Sequence, residues 1–162
     1  MWRSMKQLLL IPIGNHTHQG AQALTRDGRA QMGLVAEMLR HLLKVTRPLL
    51  VCYTSDVGNQ VRRIIADTLH FTEAEEDTLF ETFDFMDPSD PQSLRLTTAY
   101  LKKQLESGTA DVVVLLVQNG SIPQLDPAIQ HLLWEHTTTD PKRCEPGHFL
   151  VYDRVEGSPV LH

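Results

Sequence analysis

The stretch Asp111-Val112-Val113-Val114-Leu115-Leu116-Val117-Gln118 decides the fold. Its apolar run is unbroken and rich in β-branched valine, and Gly108 and Gly120 bound it. β-Branched residues in a run of this length, bounded by glycines, favour a central strand over a helix. Working outward, Gln7 to Ile13 is a second near-continuous apolar run, ended by Gly14 and Asn15, and Pro48 leads into a third at Leu49 to Tyr53. Between and after these lie segments of helical period. Thr25 is placed to cap a helix through about Leu43, with Met32, Val35, Leu39 and Leu42 along one face. Val57 to Leu69 carries Val61, Ile64, Ile65 and Leu69, Ser93 to Glu106 carries Leu94, Leu96, Tyr100, Leu101 and Leu105, and Pro123 to Glu135 follows the central strand. The middle is less regular: Phe71 to Asp77 is acidic, Thr78 to Phe85 mixed, and Asp87 to Pro91 turn-forming. Gly147 to Val155 reads as a final strand. Strands alternating with helices in this way predict a three-layer α/β/α sandwich around a largely parallel sheet, as a single domain spanning 1–162.

Composition narrows the function. Of 162 residues, 41% are hydrophobic and 22% charged, which suits a globular chain and not a disordered one. The net charge of -5, with acids and bases interleaved, argues against a nucleic-acid partner, which would need a basic face. The pairs Arg62-Arg63 and Lys102-Lys103 read as solvated helix faces. Leu8 to Ile13 is too short for a signal-peptide core or a membrane span, so no membrane partner is expected. Cys52 lies in an apolar run and Cys144 in a polar stretch. Two thiols in such different settings make no disulfide framework, and a cytoplasmic location is expected.

In a largely parallel sheet, ligands bind in the crevice outside the carboxyl ends of the strands. Two strands end alike there, one in Ile13-Gly14-Asn15 and the other in Gln118-Asn119-Gly120. Each glycine either lets another group approach the backbone closely or only permits a tight turn.

The segments Leu24-Thr25-Arg26-Asp27-Gly28-Arg29-Ala30-Gln31-Met32, Gln60 to Ala66, Asp87 to Leu94 and Val112 to Gly120, in this order and spacing, resemble the histidine phosphatase superfamily. That is the phosphoglycerate mutase-like fold, and the small bacterial phosphohistidine phosphatase branch is the nearest in size. The resemblance implies a pocket in which an arginine-histidine-glycine motif ends the first strand. Its histidine takes up the phosphoryl group, arginines bind the oxygens, and a second histidine ends the later strand. Carried onto this chain, the motif falls on Pro12, Ile13 and Gly14, the further arginine on Val57 and the second histidine on Asn119, followed by Gly120. Isoleucine has no lone pair to offer phosphorus. Loss of a nucleophile costs on the order of 10⁴ to 10⁶ in rate.

Three readings of function are open to this sequence. One is a catalytically silent domain that binds a protein partner or small ligand at the degenerate pocket, with Gly14, Asn15, Asn119 and Gly120 as ligand-binding residues. A second is an active phosphatase using displaced residues, with His16 and His18 as stand-ins for the nucleophile. A subunit role, with an apolar patch around Trp134 or Trp2, is a third reading. The alternating His16 and His18 would suit two metal ligands, but the sequence nominates no third, so neither metal nor cofactor is expected. His131, His136 and His148 form no pair of usable spacing. The oligomeric state has no signature in the sequence.

Overall fold

A computed structural model describes residues 5–14, 23–44, 46–53, 55–83, 90–135, 144–154 and 159–161, apart from the side chains of residues 42, 43, 53 and 107. Four parallel strands form the centre: β1 (Gln7–Pro12), β2 (Pro48–Tyr53), β3 (Phe80–Phe83) and β4 (Val112–Val117). Two antiparallel strands, β5 (Leu150–Asp153) and β6 (Val160–Leu161), extend one side, giving the order β3-β2-β4-β1-β5-β6. Every residue of Val112–Val117 is buried, as expected of a strand covered on both faces.

The helices are α1 (Arg26–Lys44), α2 (Asp56–Thr68), α3 (Glu73–Leu79), α4 (Pro91–Ser107) and α5 (Ile122–Trp134). α1 packs on α2 and α4 on α5, so two helical layers cover the sheet. Thr25 caps as expected, its Oγ1 accepting from the Gly28 N–H at 3.0 Å. Ser55 caps α2 and Asp90 caps α4, with Pro91 in its first turn, where a missing N–H costs nothing. Met32, Val35 and Leu39 are buried, whereas Leu42 lies outside the described side chains.

Four details depart from the sequence reading. The acidic segment forms a short helix, because Thr72 and Glu75 make a reciprocal capping box. Phe80–Phe83 is an edge strand although only Phe80 is buried, since pairing with β2 satisfies its backbone. Leu96 projects into solvent, one position off the Leu94, Thr97, Leu101 and Leu105 stripe of α4. Arg62 is no solvated charge: it pairs with Glu76 at 3.1 Å and its guanidinium lies 5.0 Å above the Phe80 ring.

Candidate functional site

At the carboxyl edge of the sheet, β1 ends at Pro12 beside Val117 of β4, and the Ile13 N–H donates to the Val117 carbonyl at 2.8 Å. The chain therefore runs on in strand-like pairing through Ile13, the residue onto which the resemblance carries the nucleophile. Pro12 is buried, and Ile13 is 1% exposed. Val57 enters from the first turn of α2 and is fully buried. Three positions that the resemblance assigns to phosphate chemistry thus carry apolar groups packed into the core. Burial here is incompatible with a phosphomonoester, which would lose hydration without gaining a cation.

Gly14 has a packing explanation. A Cβ built on it would stand 2.3 Å from the Gly28 carbonyl oxygen, so the end of β1 and the first turn of α1 meet backbone to backbone. The Gly14 N–H points to the Met32 sulfur at 3.1 Å. Gln60 ties the same corner together, its Oε1 accepting from the Leu24 N–H at 2.8 Å. Gly14 thus seats α1 against the end of β1, and Gln60 ties α2 to the chain leading into α1. Gly120 differs: nothing would meet a Cβ there within 4 Å.

Asn119 and Gly120 lie in a 3-10 turn (Asn119–Ser121) leading into α5, and both are exposed. They line a depression of about 320 Å³ with Ile122, Pro123, Cys144 and Glu145. Burial, with the neighbouring Glu145 charge, pushes the Cys144 thiol up to about 11, so at neutral pH it is protonated and a poor nucleophile. The depression offers an amide, exposed backbone and one carboxylate, a lining suited to neutral or cationic hydrogen-bonding groups more than to an oxyanion. Asn15, His16 and His18 lie outside the described residues. Among the described residues, no three histidines, cysteines or carboxylates stand close enough to hold a metal ion.

Beneath this edge lies a buried polar cluster that the sequence did not announce. Asp126 of α5 accepts from the Tyr152 hydroxyl at 2.6 Å and from Gln130 Nε2 at 3.0 Å through the same oxygen, and all three residues are buried. The spacing of four between Asp126 and Gln130 was legible; Tyr152 arrives from β5. Trp134 stacks beside Tyr152 with centroids 6.0 Å apart, and its Nε1–H reaches the Asp153 carbonyl at 3.0 Å. Its indole N–H is thus satisfied within the chain, while Trp134 itself is half-buried and lines a shallow depression with Leu132 and Leu133. Trp2 lies outside the described residues.

The fold has solved counterparts. The protein histidine phosphatase SixA complexed with tungstate superposes with a TM-score of 0.65 at 18% identity, over 96% of this chain and 94% of that one. The fold is that of the histidine phosphatases. A mycobacterial glucosyl-3-phosphoglycerate phosphatase matches at a TM-score of 0.56 and 12% identity, covering 97% of each chain. A phosphoserine phosphatase from Entamoeba histolytica, in complex with 3-phosphoglyceric acid, gives 0.50 and 13% over 96% and 94%. No family model matches the sequence, and no curated protein does. At these identities the likeness speaks for architecture, and the chemistry has to be read from the site itself. No helix among the described residues is long and apolar enough to cross a membrane.

Proposed function

We propose that this chain is a histidine phosphatase fold that no longer transfers phosphoryl groups and works by binding. It is read as a single domain over 1–162, acting in the cytoplasm, and the depression lined by Asn119, Gly120, Ile122, Pro123, Cys144 and Glu145 receives a small ligand or a protein segment. The observation that carries this reading is Ile13. At the nucleophile position it is 1% exposed, and its backbone is bonded to the neighbouring strand. No rotamer of an isoleucine supplies a nucleophile there. Pro12 and Val57 add to the case, because neither can neutralise the roughly two negative charges of a phosphomonoester. Two free cysteines, both buried, agree with the cytoplasmic assignment.

The test is turnover of an aryl phosphate from pH 4 to 9, with and without vanadate. The expected result is no turnover above background at any pH. Vanadate-sensitive turnover lost in His16→Ala or His18→Ala would replace this reading with that of a phosphatase rebuilt on displaced residues.

A further inference from the structure

The opposite, amino edge of the sheet holds an open cavity of about 650 Å³, within the size range of small-molecule sites. Its floor is apolar: Pro48 and Leu49 open β2, Phe71 follows α2, Leu79 ends α3, and Ala110 precedes β4. All five are half-buried, so the floor is accessible yet backed by the core. Its rim carries Arg47, Glu75, Glu81 and Gln104.

The charges on that rim do not balance. Arg47 is clamped to Asp111, with Nη2 to Oδ1 at 3.0 Å and Nε to Oδ2 at 3.3 Å, while its own backbone N–H donates to Oδ2 at 3.1 Å. That clamp spends the one rim cation on a neighbouring carboxylate. Glu75 and Glu81 are left as exposed carboxylates with no cation of the rim beside them, Glu75 in the α3 capping box and Glu81 next to the Tyr100 hydroxyl. The Tyr100 hydroxyl is buried against the side chains of Glu81 and Gln104, with its ring 4.3 Å from that of Phe83, so both rim groups are backed by a buried neighbour.

We propose that this amino-edge cavity binds a small primary amine with an apolar body. The body lies on Leu49, Phe71 and Ala110, and the ammonium, with three donors and no acceptor, meets the Glu81 carboxylate and the Gln104 amide oxygen. Carboxylates and phosphates are rejected by Glu75 and Glu81, because Arg47 is already paired. The site is remote from the carboxyl edge and does not depend on what binds there.

Phenethylamine and 3-phenylpropionate are probes of similar size and opposite charge. In ¹⁵N-labelled protein at pH 7, phenethylamine is expected to shift the backbone amides of Leu49, Thr78 and Ala110 in a saturable way, and 3-phenylpropionate is not. Glu81→Gln, an exposed substitution whose folding the same spectrum verifies, should weaken the amine at least tenfold. Thr109→Trp, which fills the mouth of the cavity, should abolish the response. Absence of saturable shifts, equal response to both probes, or an unchanged affinity in Glu81→Gln would each overturn the assignment. None of these outcomes bears on aryl phosphate turnover, so this site and the proposed loss of catalysis stand or fall separately.

Discussion

The two edges of one sheet have been treated in opposite ways. At the carboxyl edge, Pro12, Ile13 and Val57 are buried, and Gly14 lies against Gly28 with no room for a methyl group. At the amino edge, residues of the same apolar character, Leu49, Phe71 and Ala110, floor a cavity of about 650 Å³. Apolar content therefore does not tell a filled pocket from an open one. What differs is how the flanking chain closes. Ile13 continues the β1–β4 pairing past the end of the strand, whereas the amino edge is spanned by the Arg47–Asp111 clamp and by the turn at Gly108.

The comparison breaks most decisively if a charge fits where apolar packing is claimed. Val57→Arg restores the cation the resemblance calls for, at a position with no exposure. An uncompensated buried charge is expected to cost about 3 to 5 kcal/mol in urea denaturation, and a loss near zero would mean that the carboxyl edge is open after all. Cys52, near the carboxyl end of β2, reports dryness through pH. Burial lifts its thiol from 9.0 to about 12. The unfolded thiol ionises first, so its contribution is fully present below pH 9 and is lost as pH rises towards 12. The slope approaches about 1.4 kcal/mol per pH unit in that window. Measuring unfolding free energy from pH 8 to 11 in wild type and Cys52→Ala isolates it, and identical slopes would remove the dry-edge argument.

The two glycines give a smaller and sharper contrast. Gly14→Ala should destabilise by about 1 to 3 kcal/mol, because Gly28 presents backbone and cannot swing away. Gly120→Ala should stay within about 0.5 kcal/mol, and the reverse ranking in thermal or urea unfolding would invalidate the packing described at this corner. The smallest effect belongs to the amino edge. Asp111 is held below its usual range chiefly by the Arg47 hydrogen bond, so its stabilisation is present above its ordinary 3.8 and fades as pH falls. Arg47→Ala should lower stability at pH 7 only slightly, because the pair is solvent-exposed, and its urea-unfolding free energy should converge on that of wild type as pH falls below 3.8.

Much of the fold was legible because it is written in local chemistry. The valine run of β4, the apolar run of β1, the cap at Thr25 and the stripes of α1, α2 and α4 each depend on residues a few positions apart. The α3 helix was legible too, through Thr72 and Glu75, but its acidic run masked the capping signal. β3 was not, since a polar edge strand is held by the partner it pairs with.

For the proposed site, the sequence by itself determined what two side chains cannot do. Ile13 cannot attack phosphorus and Val57 cannot bind it, whatever surrounds them. It could not say whether the vacated positions form a hole or a packed wall, nor which of two similar glycines was required by a close approach. Those outcomes, the Asp126–Tyr152 bond and the amino-edge cavity were decided only by tertiary structure. The physical reason is distance along the chain. A void or a backbone contact is made by surfaces from separate segments, residues 46–49, 71–81 and 104–110 for the cavity, and periodicity within any one of them carries no record of how the others close around it.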